Sequence, residues 1–489
     1  MARLSLSTLS SLNKNVHLPK YQPENYKAGI VHLGVGAFHR AHQAWYTHQV
    51  LNQFGGDWRI TGVSLRSAGV RDTMAAQDCL YTASIKGTGG TDNHIIGSIA
   101  KLLVAPENPD AVIDAIASAQ TKVVTLTITE KGYCLNNSSG KLELDNKDIN
   151  FDLSNLQSPK TGIGYLVAAV QKRMIANGEN LTIISCDNLA NNGAKLEAAV
   201  MGFAGAVDAS LAKWICEHVS FPSTMVDRIV PATTADDKSD VANAISAEDQ
   251  ACVITEPFTQ WVIEEKFAGP VPRWDKVGAT YVNDVEPFED MKLRLLNASH
   301  STIAYLGCLA GYETVFETIS DPAFKALINH MMTNELAPTL DMPKGFDVSG
   351  YSSSLIERFS NSALPHKTRQ IAMDGSQKIP QRILPALITQ LNTGGSIEGL
   401  TLAVAAWMRY IQGHEENGDI YMVDDPMSET FKSDSSLKGE EYINAILGIE
   451  DIFSPDLKQN DQLIQKLLFW HYELQNKGAK QTVKDHFNK

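Results

Sequence analysis

The sequence predicts an α/β Rossmann-type N-terminal domain followed by a mostly α-helical C-terminal domain. Strand and helix patterns alternate along the first part of the chain, whereas helical periodicity dominates from Pro287 onward. A chain of 489 residues is also longer than one hydrophobic core usually supports. We therefore expect two domains, residues 1–285 and residues 286–489.

Composition excludes several classes of protein. The chain carries 42 Lys and Arg against 56 Asp and Glu, a net charge of −14, and no basic run suited to nucleic acid. The six cysteines form no Cys-x-x-Cys pair or zinc-like spacing, so we expect reduced thiols and no metal. The N-terminus lacks a signal-peptide pattern, and no apolar run reaches membrane-spanning length. We expect a soluble, cytoplasmic protein.

The first strand, 28–33, leads into Gly34-Val-Gly36 and then into a helix that extends to about Asn52. Gly34 permits a tight turn, and Gly36 allows the backbone to approach a pyrophosphate at the helix N-terminus. The third glycine of the usual fingerprint is replaced by His39. A plain strand-helix turn is the alternative to a dinucleotide site. The predicted cofactor-binding residues are Gly34, Val35, Gly36, Ala37 and Phe38.

The second strand, 58–65, ends at Arg66, where an acidic residue would normally bind the ribose 2′-hydroxyl of NAD. Arg66 could accommodate a 2′-phosphate, so NADP is an alternative to NAD as the cofactor. The alternative is an ordinary surface arginine.

Two later strands, 123–129 and 181–185, should end at the same edge of the sheet. Ligands collect at the carboxyl ends of parallel strands, so we expect Thr129 and Glu130 near the nicotinamide. Asn188 follows the other strand, although, taken alone, an Asx turn before the next helix is the better explanation of this residue. We expect the polar stretch 135–161 to form a hairpin or another excursion of the chain, and we assign it no catalytic or binding residue.

Residues 291–300 place an amine, an amide and an imidazole on one predicted helix. At about 100° per residue, Lys292, Asn297 and His300 fall within an arc of about 140°. By themselves, a solvated lysine, a surface amide and a core histidine explain them. The chain, however, has no Tyr-x-x-x-Lys and no zinc-like set, which leaves a lysine at the domain junction as the candidate base of a dehydrogenase.

A buried lysine can titrate near neutrality and take a hydroxyl proton as hydride leaves. Asn188 and Asn297 could then stabilise the developing oxyanion. Glu289 lies three residues before Lys292 and could pass protons to solvent, although an i,i+3 salt bridge is as good an explanation.

Six motifs, in the same order along nearly the whole chain, resemble the mannitol dehydrogenase family of polyol-specific long-chain dehydrogenases. They are Gly34-Val-Gly-Ala-Phe-His39-Arg-Ala-His42, Thr129-Glu-Lys-Gly-Tyr133, Ser185-Cys-Asp-Asn188, Thr224-Met-Val-Asp227-Arg-Ile-Val-Pro231, Lys292-x4-Asn297-x2-His300 and Asp374-Gly-Ser-Gln-Lys378.

This resemblance implies metal-independent hydride transfer with NAD. It implies Lys292 as the general base, Asn188 and Asn297 as the oxyanion hole, and His300 as a group that orients the substrate. Asp227 and Glu289 would support the site.

The same resemblance implies that Arg369 and Lys378 reach substrate hydroxyls or a carboxylate, with a surface cation pair as the alternative. The motifs are most similar to members that reduce D-fructuronate to D-mannonate, and interconversion of mannitol and fructose or a tagaturonate reaction is the alternative. A catalytically silent nucleotide-binding protein is a further alternative, and the retention of Lys292, Asn188, Asn297 and His300 together counts against it.

Overall fold

The structure, a computed structural model, describes residues 1–136, 138–416, 418–434 and 437–488. Asn137, Asn417, Ser435, Ser436 and Lys489, which the two predicted domains also include, lie outside the described residues. The chain forms two compact units, Met1–Glu286 and Pro287–Lys489.

The strands of the first unit make one large sheet and two small ones. They are β1 (Ala28–Leu33), β2 (Arg59–Ser64), β3 (Tyr81–Gly87), β4 (Gly90–Ile96), β5 (Ile99–Val104), β6 (Val123–Leu126), β7 (Leu181–Ser185), β8 (Val219–Ser220), β9 (Thr224–Asp227), β10 (Val253–Thr255), β11 (Gln260–Glu264) and β12 (Thr280–Val282). The sheet orders are β5-β2-β1-β6-β7-β8, β10-β3-β4 and β12-β11-β9.

The large sheet is parallel throughout. Numbered along the chain within this sheet alone, its strand order is 3-2-1-4-5-6, the order of a doubly wound dinucleotide fold. The order reverses between β1 and β6, and ligands of such sheets bind at the carboxyl ends of the strands beside that reversal. The predicted Rossmann-type fold of this half is confirmed.

Helices cover both faces of the large sheet. The helices of the first unit are α1 (Ala37–Ala41), α2 (Gln43–Phe54), α3 (Gly69–Ala75), α4 (Pro109–Ala117), α5 (Lys147–Ser154), α6 (Gly162–Ile175), α7 (Asn192–Val207), α8 (Ala209–His218) and α9 (Ala235–Ile245), with 3₁₀ turns at Leu6–Ser11, Pro23–Asn25, Glu130–Tyr133 and Trp274–Val277. Successive residues of β1 enter different cores: Val31 packs in one buried cluster and Ile30 in the other. Burial on both faces explains the continuous apolar runs of these strands.

For the first unit, one predicted strand end was wrong and one prediction was incomplete. The strand expected over 123–129 ends at Leu126 because the N–H groups of Ile128 and Thr129 donate to the carboxylate of Asp187 instead of to a strand. The polar stretch 135–161 begins with a hairpin, as predicted, in which Leu135 and Leu142 form an antiparallel bridge. It also contains helix α5, which was not predicted and whose first turn is capped by the side chain of Asn146.

The second unit is helical, as predicted. Its helices are α10 (Glu286–Met291), α11 (Ser299–Leu309), α12 (Val315–Ser320), α13 (Pro322–His330), α14 (Val348–Phe359), α15 (Thr368–Ala372), α16 (Gly375–Arg382), α17 (Leu384–Thr393), α18 (Glu398–Tyr410), α19 (Ser428–Asp434), α20 (Gly439–Leu447), α21 (Pro455–Lys458) and α22 (Asp461–Phe487), with a 3₁₀ turn at Ala337–Thr339. The almost wholly buried α18 packs against α11 and α22. No helix among the described residues combines the length and the apolar character needed to cross a bilayer.

Two segments of this unit wind as π-helices, π1 (Lys292–Ala298) and π2 (Met331–Leu336), and they contact each other. The regular α-helix predicted to carry residues 291–300 is therefore interrupted at the residues that carry the candidate chemistry. Single-turn π segments inside α-helices are rare and occur frequently at functional sites.

Candidate active site

The two glycines of the turn after β1 lie in different surroundings. Gly34 has φ +96°, and a Cβ there would lie 2.1 Å from the carbonyl oxygen of Thr127. Only glycine fits this position. A Cβ on Gly36 would meet no atom closer than the oxygen of Gly34 at 4.0 Å. The space in front of the first turn of α1 is thus open, which suits the close approach of a pyrophosphate.

The remaining residues of the predicted loop support the turn. Val35 is buried and packs on Gly62 of β2. Ala37 and Phe38 are half-buried, and the Phe38 ring stacks on His42 at 5.0 Å.

His39 occupies the position of the missing third glycine. Its buried ring stacks on that of His32, with centroids 3.4 Å apart and an interplanar angle of 14°. Helix α1 ends at Ala41. His42, with φ −121° and ψ −86°, has a non-helical conformation and separates α1 from α2. The third glycine normally allows a helix to pack closely on its strand. Here an imidazole fills that space, and the helix stops after five residues.

A single carboxylate joins the carboxyl ends of β6 and β7. Asp187 accepts hydrogen bonds from the N–H groups of Ile128 (3.0 Å) and Thr129 (2.8 Å) and from the hydroxyl of Tyr133 (2.8 Å). Burial raises the pKa of Asp187, and these three hydrogen bonds oppose that shift. Thr129 is held at φ +65°, a strained conformation for a residue of its type.

The exposed residues Thr129, Glu130 and Asn188 therefore follow neighbouring strand ends at one edge of the sheet. Sequence reasoning missed Asp187 and Tyr133 as positioning residues. The signal was an acidic residue directly before Asn188, which we interpreted as part of a turn.

Arg66 is exposed, two residues beyond the end of β2. Asp227 is buried at the end of β9, in a different sheet of the same unit. Its neighbour Arg228 donates to the carbonyl oxygens of Ala41 and Glu256, so this region is tied to the end of α1.

In the second unit, Lys292 and Asn297 are both buried on π1, with 8% and 9% of their surface exposed. Hydrogen bonds of a π-helix join residues five apart, so side chains at positions 292 and 297 lie on the same side of the segment. The sequence-based helix would have separated them by about 140°. Glu289 is buried in the last turn of α10, just before π1.

His300 is the second residue of α11, the helix that follows π1. Its ring packs against Phe359 at 4.6 Å and lies edge-on to His366 at 5.6 Å. Burial is the main reason that the pKa of His300 is well below its ordinary value, and His366, Arg358 and Arg382 lower it further. A neutral imidazole can both donate and accept hydrogen bonds.

The two predicted cations of the C-terminal motif differ in their surroundings. Lys378 lies on α16, which packs against π1, and its Nζ donates to the carbonyl oxygens of Met373 (2.6 Å) and Ile371 (3.2 Å). Burial lowers its pKa. Arg369 forms an ion pair with Glu415 and lies 4.5 Å from the ring centre of Tyr421.

The second unit thus gathers Lys292, Asn297, His300 and Lys378 around π1, whereas the charge of Arg369 is compensated elsewhere by Glu415. Arg358 and Arg382, which sequence reasoning missed, lie close enough to His300 to affect its pKa. No group of three or more potential metal ligands occurs among the residues that the structure describes.

Comparisons with known proteins match both units. A model of the mannitol dehydrogenase Rossmann domain matches residues 28–276, and one of the mannitol dehydrogenase C-terminal domain matches residues 284–473. The chain is 45% identical to D-mannonate oxidoreductase of Escherichia coli K12 over 98% of this chain and 99% of that protein.

It is also 40% identical to a mannitol 2-dehydrogenase of Phaeosphaeria nodorum, over 98% of this chain and 85% of that protein. Among solved structures, the ternary complex of Pseudomonas fluorescens mannitol 2-dehydrogenase with NAD and D-mannitol matches with a TM-score of 0.85. That match has 38% identity and covers 100% of both chains.

Proposed function

The chain belongs to the mannitol dehydrogenase family, and from this premise we propose that it interconverts D-fructuronate and D-mannonate with NAD. The family is one of oxidoreductases that act on the secondary alcohols of polyols and sugar acids. The observation that carries the choice of substrate is the 45% identity to a D-mannonate oxidoreductase over almost the full length of both chains.

The proposed reaction uses the two buried residues of π1. Lys292 takes the proton of the secondary hydroxyl in the direction of oxidation and returns a proton to the ketone oxygen in the direction of reduction. The side-chain amide of Asn297 donates a hydrogen bond to the same oxygen as it gains negative charge. Bound nicotinamide supplies or accepts the hydride.

Further roles follow from the family motif. Asn188 provides a second amide donor, and the neutral ring of His300 orients a substrate hydroxyl. Lys378 binds a hydroxyl, and Arg369 is proposed to contribute to substrate binding. Glu289 and Asp227 support the site as buried carboxylates.

NAD is the proposed cofactor, and the open space at Gly36 supports binding of its pyrophosphate. Gly34, Val35, Ala37 and Phe38 form the rest of that turn. Thr129 and Glu130 contact the nicotinamide side in this proposal. NADP is the alternative cofactor because Arg66 stands where an acidic residue would select against a 2′-phosphate.

A mannitol 2-dehydrogenase is the second candidate, and the similarity to the solved complex with D-mannitol favours it. The test mixes the full-length protein with NADH or NADPH and each of D-fructuronate, D-tagaturonate and D-fructose, and follows nicotinamide absorbance. We expect the highest kcat/KM for D-fructuronate with NADH. Faster turnover of D-fructose would establish the second candidate instead, and oxidation of neither cofactor with any of them would refute the enzymatic proposal.

A further inference from the structure

Arg382 is the last residue of α16, the helix that packs against π1. It follows Lys378 by four residues, so the two cations lie on the same face of that helix. Its Nη1 donates to the hydroxyl of Ser301 at 3.2 Å, and Ser301 is the residue after His300. The guanidinium of Arg382 therefore lies beside the group of residues to which the reaction is assigned.

The guanidinium of Arg382 uses few of its donors although its side chain is only partly exposed. A guanidinium carries five N–H donors, and the described partner of Arg382 is the Ser301 hydroxyl. Two buried arginines that lack an acidic partner among the described residues donate instead to several backbone carbonyl oxygens. Arg173 donates to those of Ile116, Ser118, Thr121, Glu179 and Asn180, and Arg59 to those of Pro23, Gly97 and Ile99.

The charge of Arg382 is also uncompensated among the described residues. None of the ion pairs described in the chain includes it, whereas Arg71, Arg294 and Arg369 each bind a carboxylate. Its side chain is only partly exposed, and holding a charge away from water without a partner is costly. The arrangement is that of a cation prepared for an anionic ligand.

We propose that Arg382 binds the carboxylate of a sugar-acid substrate and thereby selects a hexuronate or aldonate over a neutral hexose or polyol. This inference rests on the proposed function, and it moves acid recognition from Arg369 to Arg382. D-Fructuronate and D-fructose differ only at the terminal carbon, which is a carboxylate in one and a hydroxymethyl group in the other. An arginine can hold such a carboxylate through two parallel hydrogen bonds.

The test compares Arg382→Gln and Arg382→Lys with the wild type. Glutamine retains a hydrogen-bond donor for Ser301 and loses the positive charge. Lysine keeps the charge but lacks the paired N–H donors with which a guanidinium binds both oxygens of a carboxylate. Arg409→Gln is the matched control, because Arg409 lies in the same unit and bonds the side chain of Gln412. Circular dichroism and thermal unfolding establish that each variant is folded.

Two readouts are needed. The first is kcat/KM for D-fructuronate and for D-fructose with NADH. The second is the affinity of the NADH-loaded protein for D-mannonate and D-mannitol, measured by calorimetry without turnover.

We expect Arg382→Gln to lower kcat/KM for D-fructuronate and affinity for D-mannonate by about 10- to 100-fold, with D-fructose and D-mannitol unaffected. Arg382→Lys should retain part of the preference for the acid over the neutral ligand, and Arg409→Gln should retain all of that preference. Equal losses for acid and neutral ligands, or no loss for either, overturn the inference. If the wild type oxidises neither nicotinamide cofactor, the proposed function fails, and the calorimetric comparison still decides the role of Arg382.

Discussion

The π1 and π2 segments have the same winding, and each buries a charged side chain, but the two charges differ in what surrounds them. On π2, Glu335 is completely buried and its carboxylate accepts hydrogen bonds from the N–H groups of Gly399 (2.9 Å) and Leu400 (2.8 Å), at the start of α18. The hydroxyl of Ser396 and the ring of His330 also contact it, each at 3.0 Å. On π1, Lys292 and Asn297 share one side of the segment.

The comparison shows that a π segment can place a charged side chain inside a helical core. The groups that contact the side chain then determine whether it stabilises the fold or takes part in the reaction. Glu335 caps a helix, whose N-terminal N–H groups and dipole both favour a carboxylate. Its role is accounted for by folding. Lys292, in our proposal, is placed for proton transfer. Mutations in the two segments should therefore separate activity from stability.

The largest effect is expected for Lys292→Met. Loss of the proposed base should lower kcat by about 10²- to 10⁴-fold, while affinity for NADH, measured by fluorescence titration, stays the same. The exposed Lys325 offers a control as Lys325→Met, which should keep full activity. Near-normal turnover by the Lys292 variant would remove it as the base.

Asn297→Ala should have the next largest effect. Removing one oxyanion donor typically lowers kcat by about 10²- to 10³-fold. Asn334 is the matched residue on π2, where it is exposed and bonds the ring of His330. Steady-state kinetics of Asn334→Ala should match the wild type; equal losses in both variants would mean that the π segments act only through the fold.

Glu335→Gln should show the opposite behaviour. It replaces a carboxylate that accepts several hydrogen bonds, and we expect the free energy of unfolding to fall by about 1.5–3 kcal/mol. Chemical denaturation measures this change, and kcat per folded molecule should not move. A large loss of kcat with unchanged stability would contradict the assignment of activity to π1 and of stability to π2.

The smallest effect concerns pH. The hydrogen bond to Glu335 is the main cause that raises the pKa of His330. A raised folded pKa means that this pair stabilises the protein fully below the unfolded value of about 6.5, and that the contribution is lost as pH rises through the folded pKa. Because a third of the His330 side chain is exposed, we expect less than about 1 kcal/mol.

The measurement compares denaturation midpoints of the wild type and His330→Gln from about pH 5 to about pH 9, the range in which histidine titrates. The difference between them should be largest at the acidic end. A difference that does not change with pH would show that the pair is not charged.

The sequence predicted the fold class because periodicity and glycine placement are local signals. It could not reveal that β6 ends early, since the carboxylate responsible, Asp187, is far along the chain from Ile128 and Thr129. The sequence also did not predict the π-helical winding, because the angles between side chains were calculated with the α-helical rotation of about 100° at every residue.

The candidate site was predictable as a set of residues and less so as a set of roles. Lys292, Asn297 and His300 are close in sequence, and one helical stretch carries all three. The partners of the arginines are not local. Glu415, which pairs with Arg369, is distant in the chain. Nothing in the pattern around Arg382 signals that its charge has no acidic partner in the described part of the chain.

The imidazole stack under the glycine turn has a consequence for how the protein responds to acidity. Burial lowers the pKa of His32 to about 3 and holds that of His39 well below its ordinary value, which favours the neutral form of both rings. Two histidines next to the turn proposed for the pyrophosphate would ordinarily couple nucleotide affinity to proton concentration. In this chain the two stacked rings are held toward their uncharged form, so we expect them to add little pH dependence to nucleotide binding at the turn.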